Sequence, residues 1–232
     1  MLVSGLEDAA DEILKNLALA GINHICIVKS DRVVEEKHLK TSFLLRKQHV
    51  GLLYDEAISM SLRELNDNLK IELMEFPESF SGFNVFLLNG MQKLSDLITL
   101  NSECRRDSCI FFYCFSRGSL SFLFCDLLNE NYCTIEDLWK FDASCIAKRR
   151  LPDYFAFLAF LKFMDDSYEI SPLLQESINQ ISFEDTLVPS VLAVSGGICA
   201  QEIIKALTRD QNTLNNVFIF DSMEGYYLKI NN

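Results

Sequence analysis

Short apolar strands alternate with amphipathic helices along the first half of the chain, and this order strongly limits the folds open to it. The clearest example is the helical spacing of Glu7–Ala20, which stops at Gly21 and precedes an apolar strand at Ile25–Val28. The other predicted elements here are strands at Leu2–Val3, Leu69–Met74 and Asn84–Leu88 and helices at Leu52–Asn66 and Met91–Asn101. Such alternation is typical of a mainly parallel sheet with helices on both faces. We therefore expect an α/β, doubly wound, Rossmann-like fold.

The second half of the chain begins with a predicted hairpin, in which Cys109–Phe115 and Ser119–Cys125 flank a turn at residues 116–118. Residues 126–150 are less regular, and we interpret them as a reduced insertion or linker within a single domain spanning residues 1–232. The elements predicted after them are helices at Leu151–Met164, Ser171–Ile181 and Leu187–Thr208 and closing strands at Val217–Phe220 and Tyr226–Ile230, around a turn at Ser222–Gly225.

The charge of the chain narrows the classes of function open to it. Its formal net charge is −12, whereas a nucleic-acid-binding surface is usually basic. No apolar run approaches the roughly eighteen residues of a membrane helix, and the acidic start lacks the basic residues of a targeting peptide. We therefore expect a protein of the nucleus or cytoplasm, with no nucleic-acid and no membrane partner.

The eight cysteines show no pair with the two-residue gap of a structural zinc knuckle, so the sequence predicts no metal site. We interpret them as reduced and mostly buried. Cys133 and Cys145 are the least obviously buried, but neither lies in a recognisable motif. For His24, His38 and His49 we expect surface or capping roles.

The turn after the first predicted strand is where a dinucleotide fold normally binds phosphate. Here only Gly5 fits a glycine pattern, and Asp8 and Ala10 occupy the second and third glycine positions. Glu7 and Asp8 place negative charge where phosphates would lie, and they suit the positive end of the helix dipole themselves. We therefore expect no phosphate binding at this turn.

The end of the second predicted strand is where an acidic residue would bind the ribose hydroxyls. Lys29 stands at that position, and Asp31, two residues later, is better interpreted as a solvated loop residue. The sequence thus predicts that the chain binds no cofactor of its own.

The C-terminal segment carries the most specific motif. Its helix contains GG-x-x-AQE-x-x-K at residues 196–205, and the pattern NN-x-F-x-FD-x-M-x-G follows at residues 215–225. Each interior glycine costs a helix about 1 kcal/mol relative to alanine, so a pair is tolerated mainly where another backbone comes close. The segment resembles the ThiF/MoeB-type adenylation fold of ubiquitin-like-protein activating enzymes, and the small, non-catalytic subunit of the SUMO-activating heterodimer in particular.

Other stretches extend this resemblance to residues 2–230, although it is weakest between 76 and 147. Residues 5–21 are similar to the first helix of the family, and Lys148–Phe163 is similar to a DYF-containing helix of the small subunits. Phe43, Arg46 and Gly51 match the frame of the active members. At the positions of two lysines in that frame the chain has Leu52 and Tyr54, so the cations that neutralise ATP phosphates are missing.

The resemblance implies a regulatory subunit with no catalytic residues. The larger partner subunit would bind ATP and magnesium, adenylate a SUMO-like modifier, and form the thioester on its own cysteine. In the family, a helix upstream of the first strand carries an arginine that reaches the partner's ATP, and we expect this chain, which starts at the strand, to lack a counterpart. The residues that we assign to the partner interface are Phe43, Arg46, Gly196, Gly197, Gln201, Glu202, Asn215, Asn216 and Asp221.

Several alternatives remain open from the sequence. The pair Glu202 and Lys205, spaced i, i+3 on the glycine helix, could be a simple ion pair. The run Lys148–Arg150 fits a solvated linker better than a localisation signal. The chain could also serve the neddylation activating enzyme, although its C-terminal motif disfavours this, or act as a bare scaffold. A self-sufficient bacterial-type adenylyltransferase homodimer would need the glycine loop, the ribose-binding acidic residue and the phosphate-binding lysines. The chain lacks all of these.

Overall fold

The computed structural model describes residues 1–7, 9–129, 132–140, 154, 158, 188–210, 212–214, 216–221 and 223–228. Five α-helices are described in this part of the chain: α1 Ala10–Leu19, α2 Tyr54–Leu65, α3 Leu94–Arg106, α4 Ile135–Lys140 and α5 Pro189–Thr208. The strands are β1 Leu2–Ser4, β2 His24–Val28, β3 Lys70–Met74, β4 Val85–Asn89, β5 Ile110–Arg117, β6 Leu120–Asp126, β7 Val217–Phe220 and β8 Gly225–Leu228.

The strands form one sheet in the order β3-β2-β1-β4-β5-β6-β7-β8. The first five strands run parallel, and β6, β7 and β8 extend the sheet by antiparallel pairing. Parallel neighbours need a crossover, and the helices that supply it lie on both faces of the sheet. The predicted α/β, doubly wound fold is therefore confirmed.

Two hydrophobic clusters cover the two faces of the sheet. On one face, α1, α2 and α5 pack on side chains such as Val3, Ile27 and Phe112. On the other face, α3 and α4 pack on Phe86 and Phe111. The alternation of side chains along each buried strand assigns neighbouring residues to opposite clusters.

The glycine helix α5 packs directly on α1. A Cβ atom on Gly196 would lie 2.5 Å from Glu12 Cβ and 3.2 Å from the Ile13 nitrogen, whereas one on Gly197 would meet nothing within 4 Å. Gly196 therefore permits the close approach of the two helices, as the sequence predicts for a glycine pair, and Gly197 does not take part in it. In length and apolar composition α5 could span a membrane, and half of its apolar stretch is buried inside the structure.

Two of the differences from the predicted boundaries have a cause in the contacts between elements. The helix expected at Met91–Asn101 runs from Leu94 to Arg106, because Cys104 continues the buried face of Leu94, Leu97 and Asn101 beyond the predicted end. The hairpin turn falls at residues 118–119, not 116–118, since Ser116 and Ser121 face each other across the ladder with their hydroxyls 2.9 Å apart.

Several predicted features lie outside the described residues. They are the loop residue Asp8, Asn215, Cys145, the run Lys148–Arg150, the helix at Ser171–Ile181, and the helix at Leu151–Met164 apart from Tyr154 and Leu158. The predicted C-terminal helix begins at Pro189, and the last strand covers Gly225–Leu228.

Candidate functional site

The winding of the sheet reverses between β1 and β4, because β2 and β3 lie beyond β1 while β5 lies beyond β4. Ligands of doubly wound sheets bind at the carboxyl ends of the strands at such a point. Here the loop after β1 closes onto the end of β4. Gly5 has φ +77°, and a Cβ on it would lie only 1.9 Å from the Asn89 carbonyl oxygen. The loop and the neighbouring strand end are thus in direct backbone contact.

An acidic side chain covers the same crevice. Glu7 lies over Gly90, where a Cβ would come within 2.8 Å of the Glu7 carboxylate oxygen Oε2. Gly90 has φ +91°, a conformation that also favours glycine. Glu7 comes just before α1 in the chain, and its carbonyl oxygen accepts the Ala10 N–H at 2.9 Å, at the helix end that attracts anions. In this chain a resident carboxylate therefore takes a position suited to a phosphate.

Three side chains meet beside the loop after β1. The Tyr54 hydroxyl donates to Asp11 Oδ2 at 3.0 Å, and the Arg32 guanidinium lies 4.3 Å from the centre of the Tyr54 ring. Arg32 also donates to the Leu6 carbonyl at 2.5 Å, which ties the crossover segment to the loop. We call Asp11, Arg32 and Tyr54 the plug. Tyr54, at a position where the resemblance expects a phosphate-binding lysine, is instead a buried part of this cluster.

Burial controls the ionisation of the plug. Desolvation raises the pKa of Asp11 from 3.8 to about 6, opposed by hydrogen bonds from Ser42 and Tyr54 and by the charge of Arg32. Burial and the neighbouring Asp11 carboxyl raise the pKa of Tyr54 well above its usual range. The Tyr54 hydroxyl therefore stays protonated. The one cation that the plug could offer a phosphate is the Arg32 guanidinium, which already stacks on the Tyr54 ring and donates to the Leu6 carbonyl.

The end of β2 opens into a shallow groove of about 370 Å³ that is predominantly acidic. Lys29 pairs with Glu75 at 3.1 Å, and Asp31 is exposed, as the sequence predicts. Asp55 and Glu56 of the first turn of α2 also line the groove. The groove is thus lined by four carboxylates, those of Asp31, Asp55, Glu56 and Glu75, and by one lysine that is already paired. This excess of negative charge disfavours the binding of a nucleotide polyphosphate in the groove.

The crossover between β2 and α2 is held by two turns of similar design. The backbone N–H of Glu35 donates to His38 Nδ1 at 2.9 Å, and that of Arg46 donates to His49 Nδ1 at 3.2 Å. Both histidines are buried and cap short 3₁₀ helices, at Glu36–Lys40 and Lys47–His49. The predicted capping role is confirmed for these two. His24 is different, since it begins β2 and stays exposed.

Several residues assigned to a partner interface lie inside this chain. Glu202 is 3% exposed and binds Lys205 at 2.8 Å and the Leu214 N–H at 2.5 Å, so the simple ion pair considered for it is present. Asn216 is fully buried and donates to the Cys125 and Cys133 carbonyl oxygens at 3.4 Å. These residues of the C-terminal motif join α5 and β7 to the rest of the sheet.

Other interface candidates remain accessible. Phe43 is 64% exposed and lies under the Lys15 ammonium, while Arg46 pairs with Glu64 at 3.0 Å. On α5, Gly197 is half-buried and Gln201 is exposed. Asp221 is half-buried, and its carboxylate accepts the Met223 and Glu224 N–H groups, so it shapes the β7–β8 turn.

The described cysteines do not fit a nucleophilic role. All seven of them, Cys145 being outside the described residues, are buried thiols that form no disulfide. Cys133, expected to be among the least buried, is only 1% exposed, and desolvation raises its pKa to about 12. A thiol with so high a pKa is protonated near neutral pH and is a poor nucleophile.

Solved structures with the same fold place the chain in a class. It superposes on structures of Escherichia coli MccB with a TM-score of 0.69 and 14% sequence identity, covering 99% of this chain and 63% of MccB. The chain thus spans less than two thirds of the length of that protein. No protein-family model matches the sequence. The sheet order and the crevice define an α/β protein with the adenylation fold of the ThiF/MoeB type.

Sequence relatives give a narrower likeness. The chain is 22% identical to SUMO-activating enzyme subunit 1 of Dictyostelium discoideum over 97% of its length and 84% of that protein. The corresponding values are 26%, 97% and 85% for the Rattus norvegicus protein, and 24%, 97% and 86% for subunit 1B-1 of Arabidopsis thaliana. The predicted resemblance to the small subunit of SUMO-activating enzymes is confirmed, along nearly the whole chain.

Proposed function

We propose that the chain is the regulatory small subunit of a SUMO-activating heterodimer. In this role it supports ATP-dependent adenylation and thioester formation of a SUMO-like modifier by a larger catalytic subunit, which binds ATP and magnesium. The observation that carries the proposal is the combination of whole-length similarity to subunit 1 proteins with a crevice occupied by the chain's own side chains.

The plug supports the assignment of catalysis to the partner. Binding ATP at the crevice would require displacing the Tyr54 ring and the Arg32 guanidinium, and would bring phosphates to the Glu7 carboxylate. Each change loses interactions that the folded chain already has, and like charges at close range repel. A subunit that keeps the fold and fills the crevice can still shape and order a partner's active site.

The accessible interface candidates suggest where the larger subunit docks. The helices α1, α2 and α5 cover one face of the sheet, with α1 in contact with both others. Exposed apolar side chains on this layer include Met60 of α2 and Val194 of α5, and Phe43 projects from the adjoining crossover against Lys15. We propose this helical layer, with Arg46, Gly197 and Gln201, as the partner surface.

The test is ATP–pyrophosphate exchange with a SUMO-like modifier, using the larger subunit with and without this chain. We expect exchange only when both subunits are present, with none from this chain alone. Exchange by this chain alone would overturn the regulatory role. A stable complex that stays inactive with the SUMO-like modifier but works with the neddylation modifier would reassign the pathway.

A further inference from the structure

A histidine, a cysteine and a glutamate meet toward the amino ends of β2 and β3, whereas the crevice lies at the carboxyl ends of the strands. His24 and Cys26 are two residues apart in β2, so their side chains lie on the same face of the strand. In the parallel ladder Cys26 is aligned with Glu72 of β3. The register therefore brings one nitrogen, one sulfur and one carboxylate to a single point from positions 46 residues apart in the chain.

The separations among the three groups match the geometry of a zinc centre. His24 Nε2 lies 3.6 Å from Cys26 Sγ and 3.5 Å from Glu72 Oε1, and Cys26 Sγ lies 4.0 Å from Glu72 Oε2. With metal–ligand bonds of about 2.0–2.3 Å, the ligand atoms of a tetrahedral zinc ion are about 3.3–3.6 Å apart. Small side-chain rotations would bring all three atoms to such a sphere.

The surroundings leave room for a fourth ligand. His24 and Cys26 border a groove of about 290 Å³, which Met1, Phe83 and Leu207 also line. The side chains of His24 and Glu72 are 44% and 47% exposed. Three protein ligands and an open position are the arrangement of zinc sites that hold a water molecule or a small solute.

One cation competes for the carboxylate. Lys70, aligned with His24 in the ladder, lies 2.5 Å from Glu72 Oε1. The second oxygen, Oε2, faces the Cys26 thiol, so a lysine bound to Oε1 leaves an oxygen for a metal. Hydrogen bonds to the free oxygen of a ligating carboxylate commonly orient it.

We propose that His24, Cys26 and Glu72 form a zinc-binding site with an open fourth position. Nitrogen, thiolate and carboxylate are all zinc ligands, and a thiolate selects zinc over magnesium or calcium. On binding, the Cys26 thiol releases its proton to solvent, and neutral His24 coordinates through Nε2. The site lies apart from the nucleotide crevice and does not depend on the proposed role in modifier activation.

The test is titration of the tag-free full chain with zinc against a chromogenic chelator, with cobalt(II) as a spectroscopic substitute. We expect one zinc ion per chain and a thiolate-to-cobalt charge-transfer band. Cys26→Ser, His24→Gln and Glu72→Gln should each weaken binding tenfold or more, since even outer-shell changes weaken metal sites by about 10–100-fold. Circular dichroism would establish that each variant is folded.

Glu75→Gln is the matched control, because Glu75 is an exposed glutamate just beyond β3 that pairs with Lys29. It should bind zinc as the unmodified chain does. Lys70→Gln should bind at least as tightly, since it removes the competing cation. Cobalt binding without a thiolate band, or undiminished zinc affinity in folded Cys26→Ser, would overturn the proposal.

Discussion

At the scale of single residues, the plug places a buried carboxyl group beside the loop that follows β1. Asp11 is buried, accepts from Tyr54 and lies close enough to Arg32 to be stabilised by its charge. Desolvation nevertheless outweighs these contacts, which is why its pKa rises. The group therefore opposes folding when ionised, and its neighbours reduce that penalty without removing it.

The first prediction concerns the pH dependence of stability. Because the pKa of Asp11 is raised from 3.8 to about 6 on folding, the folded chain binds more protons than the unfolded chain between these values. Stability should therefore fall as pH rises through this window, by up to about 3 kcal/mol from this group. Asp11→Asn should reduce that fall, as measured by urea unfolding at about pH 4.5, inside the window, and at about pH 7, above it.

The exposed Asp31 supplies a matched control, since Asp31→Asn makes the same chemical change in the acidic groove. For Asp31→Asn, the change in the free energy of unfolding between the two pH values should equal that of the unmodified chain. If Asp11→Asn also leaves the difference unchanged, desolvation of Asp11 is not a significant contribution to stability.

At the scale of elements, the contact between α1 and α5 depends on one of two adjacent glycines. A Cβ on Gly196 would collide with Glu12 and the α1 backbone, whereas Gly197 faces open space. Gly196→Ala should therefore destabilise the isolated chain by about 1–3 kcal/mol through overpacking. Gly197→Ala should be neutral or stabilising by up to about 1 kcal/mol, because alanine favours the helix.

Thermal or urea unfolding of the two variants measures the difference directly. Each variant is the control for the other, since both add one methyl group to the same helix. Equal effects at the two positions would contradict the close approach of α5 to α1.

A second element-scale prediction concerns the junction of α3, β6 and α4. Asp126 is fully buried and accepts from Asn101 at 2.8 Å and from two nitrogens of Arg105 at 2.5 and 2.9 Å. Removing one partner of a buried ion pair typically costs about 3–5 kcal/mol. Asp126→Ala should destabilise the chain by roughly that amount in urea unfolding.

Asp96 in the first turn of α3 is the comparison for this junction, because it is exposed. Asp96→Ala should cost no more than about 1 kcal/mol, from its favourable position at the helix N-terminus. Similar losses for the two variants would mean that the buried cluster does not anchor the junction.

At the scale of the whole molecule, the proposed partner surface can be tested by its exposed aromatic residue. Phe43 is 64% exposed, and aromatic residues are frequent hot spots of protein interfaces. Phe43→Asp should weaken the complex with the larger subunit by at least about tenfold in a titration of the two purified subunits, while leaving the isolated chain folded.

Met223 is the matched control, because it is 91% exposed in the β7–β8 turn, apart from the helical layer. Met223→Asp should bind the larger subunit normally. A complex weakened by Met223→Asp and not by Phe43→Asp would place the interface elsewhere.

The sequence by itself determined the order of strands and helices, the α/β class and the likeness to activating-enzyme small subunits, because these depend on local periodicity and on motifs read within short segments. It also indicated the poor match to a phosphate loop, through Gly5, Asp8 and Ala10, and the lack of a ribose-binding acid, through Lys29. Helix ends and the hairpin turn were less predictable, since packing on the sheet extended α3 and β5 beyond their local signals.

Only the tertiary structure decided which distant side chains meet. The plug joins Asp11, Arg32 and Tyr54 through the crossover, and the proposed zinc site joins His24 and Cys26 to Glu72 through the strand register. It also turned Glu202 and Asn216 from surface candidates into buried connections. The physical reason is that local patterns set secondary structure, whereas burial, register and the approach of backbones arise from contacts between segments far apart in the chain.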